Sequence, residues 1–264
     1  MNNDDTIPAV NDLMNLEGQR ALVTGASGNI GGGIAVRLAE AGADIIVHYV
    51  NDAEGAAATA DAVKAVGRNA TSLQADLTHP EKVADMFTAI DESGPSPGCV
   101  VNNAGGYPVQ MFADMSAVEW QQVVAANLDS AVYVSQEAVR RMCDQDGGAI
   151  VNIASIEGTD PAMGHSHYAT SKAGLLMLTR SLTLEYAGRG IRTNAVSPGL
   201  IDREGIEQNW PEGVARWREN APLGRMGDIM DVADAVLFLV SRASRWISGV
   251  NLVVDGGMST VSRW

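Results

Sequence analysis

One parallel sheet of seven strands, doubly wound with helices on both faces, is the α/β fold class that this sequence predicts. Three observations predict it. Short apolar runs rich in Val, Ile and Ala alternate with longer segments of helical spacing. The runs are apolar throughout rather than at every second residue. Both faces of each strand are therefore buried, as parallel strands covered above and below require. The chain has 264 residues, 46% hydrophobic and 19% charged, with no linker, repeat or low-complexity segment, which suits one large domain.

Residues 1–15 are polar and acidic and read as a loose arm before a single domain over 16–264. ALVTG (21–25) is the first strand, ending in glycine. Ile30 to Ala41 has helical spacing, and Gly42 closes it. ADIIVHY (43–49) is the second strand, followed by an alanine-rich helix from Ala53 to Val66 that stops at Gly67. ATSLQADL (70–77) is the third strand, with a helix from Pro80 to Glu92. CVVNNAG (99–105) follows the loop SGPSPG, and a long helix runs from Ala117 to Met142. GAIVNIAS (148–155) is the fifth strand, and HSHYATSK (165–172) opens a helix reaching Tyr186. IRTNAVSPG (191–199) is a sixth strand and turn, Asp228 to Val240 a helix, and VNLVVDGG (250–257) the last strand. The stretch 200–227 carries Trp210 and Trp217 among charges and glycines. A long insertion at the carboxyl edge of a parallel sheet reads as a lid over a ligand.

A net charge of −14 argues against nucleic acid or an anionic membrane as partner. No run approaches the ~18 apolar residues needed to span a bilayer. No basic and apolar leader opens the chain. Cys99 and Cys143 form no framework of pairs, and no His, Cys or carboxylate cluster has metal-ligand spacing. A cytoplasmic protein without a metal is the expectation.

The first strand runs straight into VTGASGNIGGGIA (23–35). Small residues between a first strand and a first helix let backbone approach a pyrophosphate, while the helix aims its first amides at the charge. This is the Rossmann arrangement. Tyr168 and Lys172 stand one helical turn apart, so both share a face. A cation there favours the phenolate and lowers a tyrosine pKa from its free value near ~10, making Tyr168 a tunable acid/base.

With the glycine loop, NNAG (102–105), Ser155 and YATSK (168–172) together, residues 16–257 resemble the short-chain dehydrogenase/reductase family. PLGRMG (222–227) and SGVNLVVDGG (248–257) are similar to segments of its classical branch, among 3-oxoacyl-carrier-protein reductases and glucose dehydrogenases. The resemblance implies hydride transfer between a nicotinamide and a secondary alcohol or ketone. It implies Asn127, Ser155, Tyr168 and Lys172 as the catalytic residues. Ser155 would position the substrate oxygen, Lys172 would hold the nicotinamide ribose, and Asn127 would hold a proton-passing water. It assigns the cofactor to Gly25, Ser27, Asn29, Ile30, Gly31, Tyr49, Asp76, Leu77, Asn103, Ala104, Gly105, Pro198, Gly199 and Ile201, together with Tyr168 and Lys172. Tyr107, His165 and Trp210 are candidate substrate contacts. A homotetramer is also implied.

Two positions depart from the family. Asn29 stands where the classical loop has glycine; asparagine tolerates the positive φ needed there. Arg203 stands where many members place a cofactor-bonding threonine. At the end of the second strand, Tyr49 stands where an acid would read the ribose 2′-hydroxyl. That leans the cofactor to NADP over NAD, with His48, Asn51 and backbone amides left to hold a 2′-phosphate. Two other readings compete: a dinucleotide-sensing regulator, and a lyase or epimerase on the same scaffold.

Overall fold

The computed structural model describes residues 8–145 and 147–261. The arm expected over 1–15 therefore lies outside the described residues as far as residue 7. Beyond that, Val10–Asp12 form a short 3₁₀ turn, and the Leu13 carbonyl accepts from Ala243 N–H at 3.1 Å.

The seven strands are β1 (Arg20–Val23), β2 (Asp44–Tyr49), β3 (Ala70–Gln74), β4 (Cys99–Asn102), β5 (Gly148–Ile153), β6 (Ile191–Pro198) and β7 (Asn251–Val254). All pair in parallel, in the order β3-β2-β1-β4-β5-β6-β7. The winding reverses between β1 and β4, so a crevice opens beyond their carboxyl ends. One face is covered by α1 (Asn29–Glu40), α2 (Ala53–Ala65) and α9 (Ile229–Val240), around Val23, Ile34, Val47 and Val236. The other is covered by α3 (Pro80–Glu92) and α5 (Ser130–Asp144), around Leu22, Ile46, Phe87 and Met142. The doubly wound sheet is the one expected.

Helix α6 (Ser166–Tyr186) packs along β6. The long helix expected over 117–142 is instead three pieces: α4 (Ala117–Val124), a π turn at Ala125–Asp129, and α5. The stretch 200–227 contains α7 (Ile206–Asn209) and α8 (Pro211–Asn220). Trp217 joins Ile206, Val214 and Met226 in a small core of its own there. Gly32 and Gly33 lie inside α1 because neighbouring helices press on it. A Cβ on Gly33 would stand 2.1 Å from Ile229 Cγ2 of α9, and one on Gly32 would stand 3.1 Å from Thr59 Oγ1 of α2.

Candidate active site

The loop after β1 bends at Gly25 (φ 62°) and turns into α1 through Asn29, whose φ of 49° is the left-handed conformation expected of it. Gly31 has no room for a side chain, since a Cβ there would lie 2.3 Å from the Gly25 carbonyl oxygen and 2.5 Å from Asn103 Nδ2. Asn103 Nδ2 donates to the carbonyls of Thr24 (2.9 Å) and Gly25 (3.0 Å), and the Thr24 hydroxyl accepts from the N–H groups of Asn103 and Ala104. The NNAG segment therefore braces the loop from β4. No side chain caps the start of α1, and the position of Gly28 opens to free space. An uncapped helix start beside such a loop suits the pyrophosphate of a dinucleotide.

At the end of β3, Asp76 accepts from the N–H and hydroxyl of Thr78, which hold its carboxyl below the usual range, and Leu77 beside it is buried. Tyr49 is half-buried at the end of β2. Asp52 caps α2 by accepting from Gly55 N–H at 2.9 Å. His48 is not free to hold a phosphate, contrary to expectation. It is buried, and both ring nitrogens are bonded: Nδ1 accepts from Gly25 N–H at 3.1 Å, and Nε2 lies 2.9 Å from the Ala75 carbonyl. On the far side of the crevice, Pro198 ends β6, Gly199 lies against the Trp217 ring, and Ile201 is buried and bridges to Gly227.

Ser155, Tyr168, Lys172 and Asn127 converge beyond the ends of β4 and β5. The Ser155 and Tyr168 hydroxyls share a hydrogen bond. Lys172 Nζ stands 5.4 Å from the Tyr168 ring centre and donates to the Ile153 carbonyl at 2.8 Å. The π turn carries Asn127 inward, where Nδ2 donates to the carbonyls of Gly106 (2.7 Å) and Val123 (2.9 Å). Asn127 Oδ1 is buried without a partner. A Cβ on Gly105 would lie 2.4 Å from it and 3.8 Å from Lys172 Nζ, so only a glycine there leaves the two polar groups a shared space.

Burial dominates the electrostatics. It pushes the Tyr168 phenol up to about 12; the Ser155 hydrogen bond acts downward and the Glu157 charge upward. Burial also brings the Lys172 ammonium down to about 8. The lowering of Tyr168 expected from its lysine is thus not realised in the chain alone, because both groups are desolvated together.

On the open side of Tyr168, the Tyr107 and His165 rings meet it edge to face at 5.8 and 6.0 Å. His165 Nδ1 is bonded to Glu157 Oε2 at 2.8 Å. The Arg203 guanidinium stacks on Tyr107 at 5.0 Å, which puts this departure from the family beside the Tyr107–His165–Tyr168 cluster. Trp210 is half-exposed, and its ring covers Gly213 of the adjoining α8 rather than joining this cluster. His167 is buried and accepts from Tyr168 N–H at 2.9 Å, steadying the first turn of α6. Sequence reasoning missed Glu157 and the tautomer of His48; an acid two residues after Ser155 was the available signal for the first.

Residues 25–259 match the family described as enoyl-(acyl carrier protein) reductase. The chain is 35% identical over 243 residues to the 3-oxoacyl-(acyl-carrier-protein) reductase FabG of Aquifex aeolicus, covering 92% of this chain and 98% of that protein. This chain is a short-chain dehydrogenase/reductase. Among solved structures, a short-chain type dehydrogenase/reductase from Mycobacterium marinum superposes with a TM-score of 0.90 at 37% identity, over 95% of this chain and 99% of that one. A gluconate 5-dehydrogenase from Burkholderia cenocepacia J2315, in complex with NADP and tartrate, superposes with a TM-score of 0.89 at 29% identity, over 95% and 99%. As a short-chain dehydrogenase/reductase, the chain is an NAD(P)-dependent oxidoreductase of CH–OH or keto groups, and the sensor and lyase readings are not favoured.

Proposed function

We propose that the protein reduces a ketone with NADPH, using Tyr168 as general acid. The observation that carries this reading is the convergence of the Ser155 and Tyr168 hydroxyls beside the buried Lys172. The nicotinamide, when bound, supplies the hydride. The Ser155 hydroxyl positions the substrate oxygen against Tyr168, whose hydroxyl gives its proton to that oxygen as negative charge develops there. Lys172 and Asn127 Oδ1 face a common space beside Gly105, suited to a water that returns a proton toward Tyr168. A phenol near 12 in the chain alone is protonated at neutral pH, the form that donates to a ketone oxygen.

NADP is the dinucleotide we favour. No acid stands at Tyr49, and the Asp52 carboxylate is engaged at the start of α2. Arg203 puts a cation beside Tyr107, which suits a substrate carrying a negative group. The test is a titration with NADPH and with NADH followed by nicotinamide fluorescence, then turnover of paired oxo acids and their esters. NADPH is expected to bind at least tenfold tighter, and the acids to turn over faster. Preference for NADH would overturn the cofactor assignment, and esters reduced equally well would remove the role of Arg203.

We further infer a cytoplasmic homotetramer. Met177 and Leu184 are exposed on α6, and Val250 and Val253 are exposed at or beside β7, which is an edge of the sheet. Light scattering is expected to give the mass of four 27.7 kDa chains; the mass of one chain would refute it. Among the described residues, no helix is long and apolar enough to cross a membrane and no cluster could hold a metal.

A further inference from the structure

We propose that His48 is a positioning residue for the cofactor site, a neutral imidazole of one fixed tautomer from which the glycine loop hangs. The inference rests on the dinucleotide reading above. His48 is the last but one residue of β2, between Val47 and Tyr49, and it is 2% exposed. A polar ring buried there must have both nitrogens bonded, or lose the hydrogen bonds that water gave it. Its two partners dictate its protonation. Gly25 N–H can only donate, so Nδ1 must be bare; the Ala75 carbonyl can only accept, so Nε2 must carry the proton. A doubly protonated ring would set Nδ1–H against the Gly25 N–H.

The same residue reaches the loop a second time. The His48 carbonyl accepts from Ala26 N–H at 2.8 Å. Two consecutive amides of the loop are thus consumed by one residue. The amides that follow, from Ser27 into the first turn of α1, are left to face a pyrophosphate. Through Ala75, the ring also ties the loop to the residue preceding Asp76, which the family resemblance assigns to the cofactor. His48 therefore sets the spacing between the two ends of the dinucleotide groove without touching the ligand.

Three substitutions separate this role from simple packing. His48→Asn keeps an oxygen close to the place of Nδ1 and so an acceptor for Gly25. His48→Gln can reach Ala75 but offers Gly25 nothing at the Nδ1 place. His48→Leu fills the space and keeps neither. Dissociation constants for NADPH and NADH are read by nicotinamide fluorescence, alongside kcat at saturating cofactor and the melting temperature. Leaving the part-buried Gly25 N–H unpaired is expected to weaken dinucleotide binding ~10- to 100-fold in His48→Leu and His48→Gln. His48→Asn should stay within about threefold of wild type, and kcat should fall far less than affinity in all three. Should His48→Leu not fold, the Asn and Gln pair decides. Wild-type affinity in His48→Leu or His48→Gln overturns the proposal. So do equal losses in all three that track melting temperature, which would make His48 a core residue only. A wild-type protein that binds neither dinucleotide overturns the functional reading, and the proposal with it.

Discussion

Tyr168→Phe is expected to lower kcat by about a thousandfold, within the range that a positioned acid contributes, equivalent to ~4 kcal/mol of transition-state stabilisation. The phenylalanine ring fills the same slot between Lys172, Tyr107 and His165. Only the hydroxyl and its bond to Ser155 disappear, so stability should change by no more than ~1 kcal/mol. Dinucleotide affinity should fall little, because the loop at Gly25–Gly31 and its brace at Asn103 are untouched. The pH profile of the wild type carries the sign. A phenol held near 12 stays protonated through neutral pH, so ketone reduction should be flat there and decline only in strong alkali. Alcohol oxidation, which needs the phenolate, should rise with pH across the same range. Full activity in Tyr168→Phe, or oxidation that falls as pH rises, would sink Tyr168 as the acid.

The sheet was legible because its signals are local. Continuous Val and Ile runs mark strands buried on both faces, and the glycine loop follows the first of them directly. Asn29 could be read in advance for the same reason, since its φ depends on its own side chain and the adjacent turn. The features that escaped depend on distant partners. His48 reads in sequence as a group free to help hold a 2′-phosphate, because Gly25 and Ala75, the partners of its two nitrogens, lie 23 and 27 residues away. The π turn at Ala125–Asp129 leaves no mark in a pattern that reads as helix on both sides, yet it turns Asn127 inward. Helix α8, PEGVARWREN, is too charged to show an apolar stripe; its burial comes from Ile206 and Met226 outside it. The raised phenol of Tyr168 in the chain alone is not legible because a cation one turn away is visible in sequence, whereas burial by distant segments is not.

Lys172→Met should lower activity sharply and stabilise the protein. Lys172 is 4% exposed, and its ammonium donates to the Ile153 carbonyl, with no ion pair reaching it among the described residues. Burial holds its pKa down to about 8. Below pH 8 the folded and unfolded chains both carry the charge, and the folded chain carries it at a loss of ~3 kcal/mol. Between about 8 and the ordinary lysine value the folded chain sheds its proton first, so the loss shrinks as pH rises and vanishes beyond it. Methionine has comparable reach and no charge. It gives up the bond to Ile153, ~1 kcal/mol, so the net gain at pH 7 is ~2 kcal/mol. Urea unfolding should show that gain at pH 7 and its disappearance near pH 10.5, while turnover falls ~100-fold or more. A variant less stable than wild type at pH 7 would mean the ammonium is better satisfied in the fold than its burial implies. The expected result would give the lysine a reason outside the fold. A buried ammonium without a counter-charge lowers stability in the chain alone, a cost that the ribose contact implied by the family resemblance would account for.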